Sequence, residues 1–410
     1  MRIALITREY PPETAWGGIG TFYFSFAKSL AQAGCDVEVF TQGVHKSFSE
    51  EQNGVLVHRL LPRKWLVGSR PGGDLAGHKE KDLGVFAFSL AAEMLHAFTL
   101  RQRQSTFHLV EGHEHLGINA FINACFKKRM VTLTRYHTAY YSFVRRGLAN
   151  WPKSRIINYL ERRSLLSADC RISPSNFIER ITRQDFPGTP SADAIIPLSL
   201  RLIHRPVPPH KMREHLILFV GRLMPVHKKP DMVAQAFDRL AHRYPDWRVE
   251  FAGLDIRLSP EETMWQRCRK ILAPHEGRFM YHGVLSKEQI DMLYTRARII
   301  VVPSTFESFG LVALEAMALG CVPIVADDTA LTEVVGDAGF VFRNGSVDDL
   351  VSKLEHAMID EDELEQKSSA CVQRIVSDFS ESAILEMNLN AFRNAIDNKF
   401  GKRIDKEWLV

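Results

Sequence analysis

Closely spaced cysteines and uninterrupted apolar runs are both missing from this sequence. The six cysteines lie far apart, so the chain contains neither a Cys-x-x-Cys pair nor the ligand spacing of a zinc site. No uninterrupted run of about 18 apolar residues occurs, and the first residues lead directly into a short apolar strand rather than a signal peptide. These absences predict a protein of the reducing cytoplasm without a membrane-spanning segment.

A strong surplus of charge of one sign is also missing, since the formal net charge is +4 over 410 residues. The charge is nevertheless uneven: residues 1–205 carry 27 Lys and Arg against 17 Asp and Glu, whereas residues 206–410 carry 25 against 31. A basic first half favours an anionic partner, such as a phosphorylated acceptor or an anionic membrane surface bound peripherally. Ordinary charge drift between domains gives the same pattern, and we expect no nucleic-acid partner.

The length and the order of apolar segments predict two α/β domains. A chain of 410 residues exceeds the size at which a single hydrophobic core usually divides. Short β-branched runs alternate with segments of helical periodicity, which indicates doubly wound parallel sheets. Residues 1–202 and 211–385 are the two expected domains, and the proline-rich residues 203–210 are the expected linker.

One stretch of the second domain, residues 299–336, has the pattern of strand, loop, helix, strand and loop. Glu307 lies in the loop and Glu315 inside the helix, with seven residues between them. The junction lies at the carboxyl end of a parallel strand, where open α/β sheets bind ligands. A carboxylate there accepts hydrogen bonds from sugar or ribose hydroxyls, although a plain βαβ unit with two solvated acids has the same spacing. The backbone amides at the helix start suit anions and hydroxyls: those of Phe309, Gly310, Leu311 and Val312.

A glycine turn follows the first predicted strand. Residues 10–20, Y-P-P-E-T-A-W-G-G-I-G, lie between that strand and an amphipathic helix, where a turn of this kind suits a phosphate group. The turn is not the dinucleotide fingerprint, because Tyr23 occupies the third glycine position. The broken fingerprint argues against a Rossmann oxidoreductase.

The segment E-S-F-G-L-V-A-L-E-A-M-A-L-G resembles the Glu–seven–Glu motif of retaining GT-B glycosyltransferases, in particular glycosyltransferase family 4, and the resemblance extends over nearly the whole chain. It implies a GT-B fold, in which two Rossmann-like doubly wound parallel-sheet domains face an interdomain cleft and the last helix, residues 386–410, crosses back to the first domain. It further implies sugar transfer from a nucleotide-diphospho-sugar, with UDP or GDP as the nucleotide, to a hydroxyl of a glycan, a lipid-linked acceptor or a small molecule. No metal or other cofactor is implied.

The resemblance assigns two cations to the leaving diphosphate. The segment Gly-Arg-Leu at residues 221–223 matches a family motif, which implies that Arg222 and a following lysine stabilise the diphosphate in place of a metal ion. Lys228 matches that lysine, with Lys229 as the alternative. We expect no Asp-x-Asp metal motif, since Asp327 and Asp328 are adjacent and lack its spacing.

Three further side chains are assigned to the sugar and the ribose by the same resemblance. Glu307 would hold the hydroxyls of the transferred sugar, and His137, at the end of a predicted strand, would position that sugar. Glu315 would bind the ribose hydroxyls. The family is described by attack of the acceptor on the face that the nucleotide leaves.

The remaining assignments concern the donor and the acceptor. The backbone of Gly17 and Gly18 would approach the diphosphate, with Gly18 in contact, and Val284 would lie against the nucleotide base through its backbone. The helix-start amides of residues 309–312 would bind the sugar. Four side chains of the first domain are candidate acceptor contacts: Glu9, Tyr10, Glu13 and Trp16.

Several alternatives stay open at this point. Glu111, His113 and His115 alternate, so on a strand they would share one face and could hold a metal, although no fourth ligand is evident. The resemblance instead matches His113 and Glu114 to a His–acid pair at the cleft. A nucleotide-sugar epimerase, and a phosphorylase with pyridoxal phosphate on a lysine, would have the same fold. A Rossmann oxidoreductase and a noncatalytic nucleotide-sugar-binding protein are the alternatives from other classes.

Overall fold

The computed structural model describes residues 1–14, 17–62, 80–147, 154–200 and 207–401. The chain divides into two compact units, one formed by Met1–Leu198 with Ile384–Val410 and the other by Ser199–Ala383. Four residues of the expected linker, 203–206, and the last part of the expected crossing helix, 402–410, lie outside the described residues.

The first unit is built on a sheet of eight described strands in the order β3-β4-β2-β1-β5-β6-β7-β8. The described pairs are parallel except for β3 and β4, which are antiparallel. The central strands β1, β5 and β6 are buried along nearly their whole lengths, although only β1 has a nearly continuous apolar sequence. The strands are β1 (Arg2–Ile6), β2 (Asp36–Gln42), β3 (Phe48–Gln52), β4 (Val55–Leu60), β5 (Leu109–His113), β6 (Val131–Arg135), β7 (Cys170–Ser173) and β8 (Ala194–Ile195).

Helices cover the faces of this sheet. The helix α2 has the length and apolar composition of a membrane span, although the sequence has no uninterrupted apolar run of that length. Half of its most apolar segment is buried inside the unit, and core helices of globular proteins pass the same test of length and composition. Its buried side chains, such as Phe86, Leu90 and Met94, belong to the core cluster of the first unit. The helices are α1 (Gly18–Gln32), α2 (Glu80–Gln104), α3 (Ala120–Phe126), α4 (Tyr140–Arg145), α5 (Arg155–Ser167) and α6 (Asn176–Asp185).

The second unit has a parallel sheet of six described strands in the order β13-β10-β9-β14-β15-β16 and a small hairpin of β11 and β12. The strands are β9 (Glu214–Val220), β10 (Arg248–Ala252), β11 (Arg257–Ser259), β12 (Glu262–Thr263), β13 (Phe279–Tyr281), β14 (Ala297–Val302), β15 (Val322–Ala326) and β16 (Phe340–Phe342). The helices that follow are α7 (Pro230–Ala241), α8 (Met264–Leu272), α9 (Lys287–Arg296), α10 (Leu311–Ala318), α11 (Leu331–Val335), α12 (Val347–Ile359), α13 (Glu361–Asp378) and α14 (Glu381–Phe400).

The last described helix, α14, contributes its residues from Ile384 onward to the first unit. Asn388 Oδ1 accepts a hydrogen bond from Arg135 Nη2 at 2.6 Å, and the ring of Phe392 lies 6.3 Å from that of Phe26. A buried polar contact combined with an aromatic contact fixes this helix on the first sheet, because an unpaired guanidinium in the core would be costly.

Candidate active site

The junction between β14 and α10 has a backbone that requires glycine. Gly310 precedes the first residue of α10 with φ +101°, a left-handed conformation that most side chains disfavour. A Cβ atom added at Gly310 would lie 2.3 Å from Leu331 Cδ2, so the Leu331 side chain would have to move in addition to the backbone strain. The tight turn lets α10 begin directly beside Glu307, whose Cγ lies 3.5 Å from that Cβ position.

Lys228 and Glu307 form an ion pair at the carboxyl ends of the neighbouring strands β9 and β14. Lys228 Nζ lies 2.5 Å from Glu307 Oε2, and the two side chains are 23% and 17% exposed. Lys229, in contrast, has a left-handed backbone (φ +50°) at the N-cap of α7. The glycosyltransferase motif that this segment resembles has glycine at that position. The structure therefore brings Lys228, and not Lys229, into hydrogen-bonding distance of the predicted sugar carboxylate.

Backbone hydrogen bonds hold the two loops of this ion pair together. The amide of Thr305 donates to the carbonyl of His227 at 2.8 Å, and its hydroxyl donates to the carbonyl of Val226 at 3.2 Å. On the other side, the amide of Ala330 donates to the carbonyl of Glu307 at 3.2 Å. These bonds leave the Lys228 and Glu307 side chains on a fixed backbone, which favours a preorganised site.

Glu315 lies on α10 beside Lys287 of α9. The distance from Lys287 Nζ to Glu315 Oε1 is 3.5 Å, and Lys287 also pairs with Asp291. Burial raises the pKa of Glu315, the Lys287 ammonium lowers it, and the Asp291 carboxylate raises it. The predicted ribose carboxylate is thus partly buried and has a cation beside it.

The remaining predicted donor residues of this unit differ in exposure. Arg222 is exposed directly after β9, and Val284 is 72% exposed beyond the end of β13. The side chain of Phe309 is buried, with its ring 6.0 Å from that of Phe379, so only its backbone is suited to bind a ligand. Gly253 lies so close to β9 that a Cβ atom there would be 1.9 Å from the carbonyl oxygen of Gly221, which brings the ends of β9 and β10 together.

In the first unit, His137 follows β6 with a buried ring. Its amide donates to Glu114 Oε1 at 2.8 Å, and the amide of Thr138 donates to the same oxygen at 2.7 Å. Burial, with a smaller effect of the Arg135 guanidinium, lowers the pKa of His137 to about 3, so the ring is neutral at physiological pH. Its Nε2 atom is buried without a hydrogen-bond partner among the described residues, which suits a contact with a ligand hydroxyl.

Two buried carboxylates organise the strand-end loops around His137. Burial raises the pKa of Glu114 to about 7 and that of Glu161, on α5, to about 8. Glu161 accepts hydrogen bonds from the amides of Leu116, Tyr140 and Tyr141 at 3.0, 2.6 and 3.0 Å, which ties the segments after β5 and β6 to α5. The sequence did not single out Glu161, since its partners are backbone amides far away along the chain.

The three alternating residues Glu111, His113 and His115 are not arranged as a metal site. Glu111 lies on β5 and forms a buried ion pair with Arg135, with Nε–Oε1 and Nη2–Oε2 distances of 2.6 and 3.1 Å. His115 lies beyond the strand in a 3-10 turn, so the three side chains do not share one strand face. Among the described residues, no group of three or more His, Cys, Asp or Glu side chains is arranged to hold a metal ion.

The expectation that the chain has no Asp-x-Asp spacing is wrong, because Asp360 and Asp362 have it. Asp360 caps α13 by accepting from the amide of Glu363 at 2.8 Å, and Asp362 lies 3.1 Å from Lys211 Nζ. Both carboxylates therefore have structural partners at a helix terminus.

The glycine turn of the first unit leaves space above one glycine. A Cβ atom added at Gly18 would meet no atom within 4 Å, whereas one at Gly17 would lie 3.4 Å from Glu9 Oε2. An incoming group could therefore approach the backbone of Gly18, the first residue of α1.

The four candidate acceptor residues are placed differently. Tyr10 is buried, with its ring 5.6 Å from that of Phe24, so it offers no surface to an acceptor. Glu13 Oε2 accepts from the amide of Val44 at 3.3 Å, and Glu9 is half-buried beside the glycine turn. Trp16 lies outside the described residues.

Two α/β units with largely parallel sheets, and with charged side chains at the carboxyl ends of their strands, have the architecture of a glycosyltransferase of the GT-B fold. Residues 16–199 match the family model described as Glycosyltransferase Family 4, and residues 201–372 match the one described as Glycosyl transferases group 1. The chain belongs to the glycosyltransferases that these two models describe together.

Individual proteins agree with this assignment. The D-inositol 3-phosphate glycosyltransferase of Corynebacterium aurimucosum is 24% identical over 401 residues, which cover 88% of each chain. The structure of sucrose-phosphate synthase from Thermosynechococcus elongatus has a TM-score of 0.75 at 20% identity, over 97% of this chain and 99% of that one. Anabaena HepE in complex with UDP and glucose has a TM-score of 0.70 at 15% identity, over 96% and 100% of the two chains. At these identities the two solved structures show likeness of fold.

Proposed function

We propose that this protein is a retaining, metal-independent glycosyltransferase that transfers a sugar from a nucleotide-diphospho-sugar, with UDP or GDP as the nucleotide, to an acceptor hydroxyl. The observation that carries the proposal is the ion pair between Lys228 Nζ and Glu307 Oε2, which are 2.5 Å apart. The loops that carry them follow β9 and β14 and are hydrogen-bonded to each other. It combines a cation for phosphate with a carboxylate for sugar hydroxyls at one strand edge, where α/β sheets bind ligands.

The cations would act on the leaving group. Breaking the glycosyl–phosphate bond leaves negative charge on the nucleotide diphosphate, which Lys228 and Arg222 would stabilise, assisted by the Gly18 backbone. Donors fixed in place are often the largest catalytic contribution, and the loss of one costs on the order of 100-fold in rate. Fixed cations can thus take the part that a metal ion plays in other transferases.

The acceptor groups would orient the sugar and the ribose. Glu307 would accept hydrogen bonds from sugar hydroxyls, and the amides at the start of α10 would add contacts. Glu315 would bind the ribose hydroxyls, and the Lys287 ammonium beside it partly offsets the rise in its pKa that burial causes. The neutral ring of His137 would bind a sugar hydroxyl through Nε2. As the family resemblance implies, the acceptor would attack on the face that the diphosphate leaves.

The acceptor and the location follow from the first half of the chain. Its excess of Lys and Arg favours an anionic acceptor or peripheral contact with an anionic membrane. Glu9 and Glu13, both half-buried, remain the candidates for contact with the acceptor hydroxyl. All six cysteines are free, which supports a reducing compartment such as the cytoplasm.

A donor panel tests this proposal. The protein is incubated with UDP-, GDP-, ADP- and dTDP-sugars, with and without EDTA, and released nucleotide is measured. Release from one donor that EDTA leaves unchanged, and a product whose proton NMR coupling constants show the anomeric configuration of the donor, are the expected results. Conversion of the donor sugar to its epimer without transfer would favour the epimerase alternative, and inversion at the anomeric carbon would refute retention.

A further inference from the structure

Helix α5 presents an exposed face that mixes cationic and apolar side chains. Tyr159, Ile156 and Leu166 are 59%, 39% and 38% exposed, which is high for large apolar residues. Arg162 and Arg163 are exposed on the same helix, as is Arg155 in its first turn. The buried side of α5 carries Ile157, Leu160 and the carboxylate Glu161, so the exposed side is a separate surface.

These six exposed residues lie on one face. At about 100° per residue, positions 155, 156, 159, 162, 163 and 166 fall within an arc of about 120°. The arc contains three arginines and three large apolar side chains and no acidic residue. A helix of this composition, with an aromatic residue among the apolar ones, has the pattern of a helix that lies in a membrane interface.

The cations of this face are available to an anionic partner. By contrast, Arg145 at the end of α4 and Arg146 after it both form ion pairs with the buried Asp185. Among the residues that the structure describes, the three arginines of the α5 arc have no such carboxylate partner. Three more exposed cations, at positions 127–129, follow α3, which packs against α5.

We propose that this α5 face docks the protein on the surface of an anionic lipid bilayer. Charge complementarity identifies the partner, because clustered Lys and Arg bind anionic headgroups. The apolar residues distinguish a bilayer from a soluble polyanion, since Tyr159 and Leu166 gain by entering the headgroup boundary. The proposal rests on the peripheral location proposed above and gives it a defined surface.

Binding to vesicles tests the proposal with the full chain and without any donor. The protein is co-sedimented with vesicles of phosphatidylcholine alone and of phosphatidylcholine with 30% phosphatidylglycerol. Wild type is expected to bind the anionic vesicles and not the zwitterionic ones, with weaker binding as salt is raised. Since one cation near an anionic surface strengthens binding about fivefold, Arg162→Gln with Arg163→Gln should weaken it about 25-fold.

Matched control variants distinguish the effect of this face on vesicle binding from the effect of removing any exposed cation or apolar side chain. Arg257→Gln with Arg269→Gln removes two exposed cations of the second unit and should leave vesicle binding within about twofold of wild type. Tyr159→Ser with Leu166→Ser should weaken binding with no change in net charge, whereas Val376→Ser, at a position 56% exposed in the second unit, should not. Circular dichroism verifies that each variant is folded.

Three results would overturn the proposal. The first is that folded wild type does not bind the anionic vesicles, and the second is that the α5 and control variants lose vesicle binding equally. The third is a concentration-dependent dimer in sedimentation velocity that the α5 variants abolish. The last result would make the face an interface between two copies of this chain. Nucleotide release from a soluble donor analogue is measured in parallel, so a failure of docking is distinguishable from a failure of the transfer reaction.

Discussion

Replacing Glu307 by glutamine should tighten the binding of a free nucleotide diphosphate while it lowers turnover. Lys228 Nζ is held 2.5 Å from Glu307 Oε2, so a diphosphate must compete with this carboxylate for the ammonium group. The side chains are 23% and 17% exposed, and an ion pair of this kind is worth about 0.5 to 1 kcal/mol. Removing the competing charge should therefore lower the Kd of the diphosphate about two- to fivefold.

Isothermal titration calorimetry with UDP and GDP measures this effect, and released nucleotide measures turnover with the sugar donor. The control is Glu276→Gln, which removes one exposed negative charge of the same unit away from Lys228 and should change neither quantity. An unchanged or higher Kd in Glu307→Gln, with turnover close to that of wild type, would refute the assignment of both side chains to the donor. A Kd lowered equally in the control would show a general charge effect.

The remaining predictions concern the second lysine, the glycine turn and a buried carboxylate. Lys228→Ala should lower kcat/KM for the donor about 100-fold, as expected for the loss of a diphosphate cation. Lys229→Gly should lower kcat/KM only a few-fold, because the left-handed backbone of Lys229 suits glycine. Steady-state kinetics of both variants measures the difference. Gly310→Ala should lower the thermal unfolding midpoint, since its positive φ and the Leu331 contact make a Cβ atom cost about 1 to 3 kcal/mol; a midpoint equal to that of wild type would contradict this. The pKa of Glu161 is raised to about 8, so the folded state binds its proton more tightly than the unfolded state, and the resulting stability is present below about pH 4.5 and is lost as pH rises to about 8. Glu161→Gln should therefore reduce the fall in unfolding midpoint between pH 5 and pH 8, and a fall as large as in wild type would show that this carboxyl does not titrate there.

The sequence predicted the parts of the fold that local patterns determine. The strand, helix and second strand expected in residues 299–336 correspond to β14, α10 and β15. The loop expected at the end of this stretch is wrong in part, because it contains the short helix α11. The glycine at position 310 and the two carboxylates that flank it indicated an edge of the sheet that is suited to bind a ligand, because loop chemistry at a strand end is itself local. The exposed β3, with its Ser-Glu-Glu sequence, was missed, since an edge strand lacks the apolar pattern of a buried one.

Contacts between distant residues could not be predicted in the same way. The ion pair of Glu111 with Arg135 depends on the pairing of β5 with β6, and in isolation Glu111 looked like a metal ligand. Glu161 is one of many helical glutamates until the fold brings three backbone amides to it. Tyr10 looked like a surface residue of a glycine-rich loop, and only the packing against Phe24 shows that it is buried.

The most direct test of the account is nucleotide release from the best sugar donor by wild type and Lys228→Ala, each with excess EDTA and with added Mg²⁺. Fixed cations in place of a metal predict equal wild-type rates in both conditions and a variant rate about 100-fold lower that Mg²⁺ does not restore. A wild-type rate that EDTA abolishes, or a variant as active as wild type, would contradict the central claim.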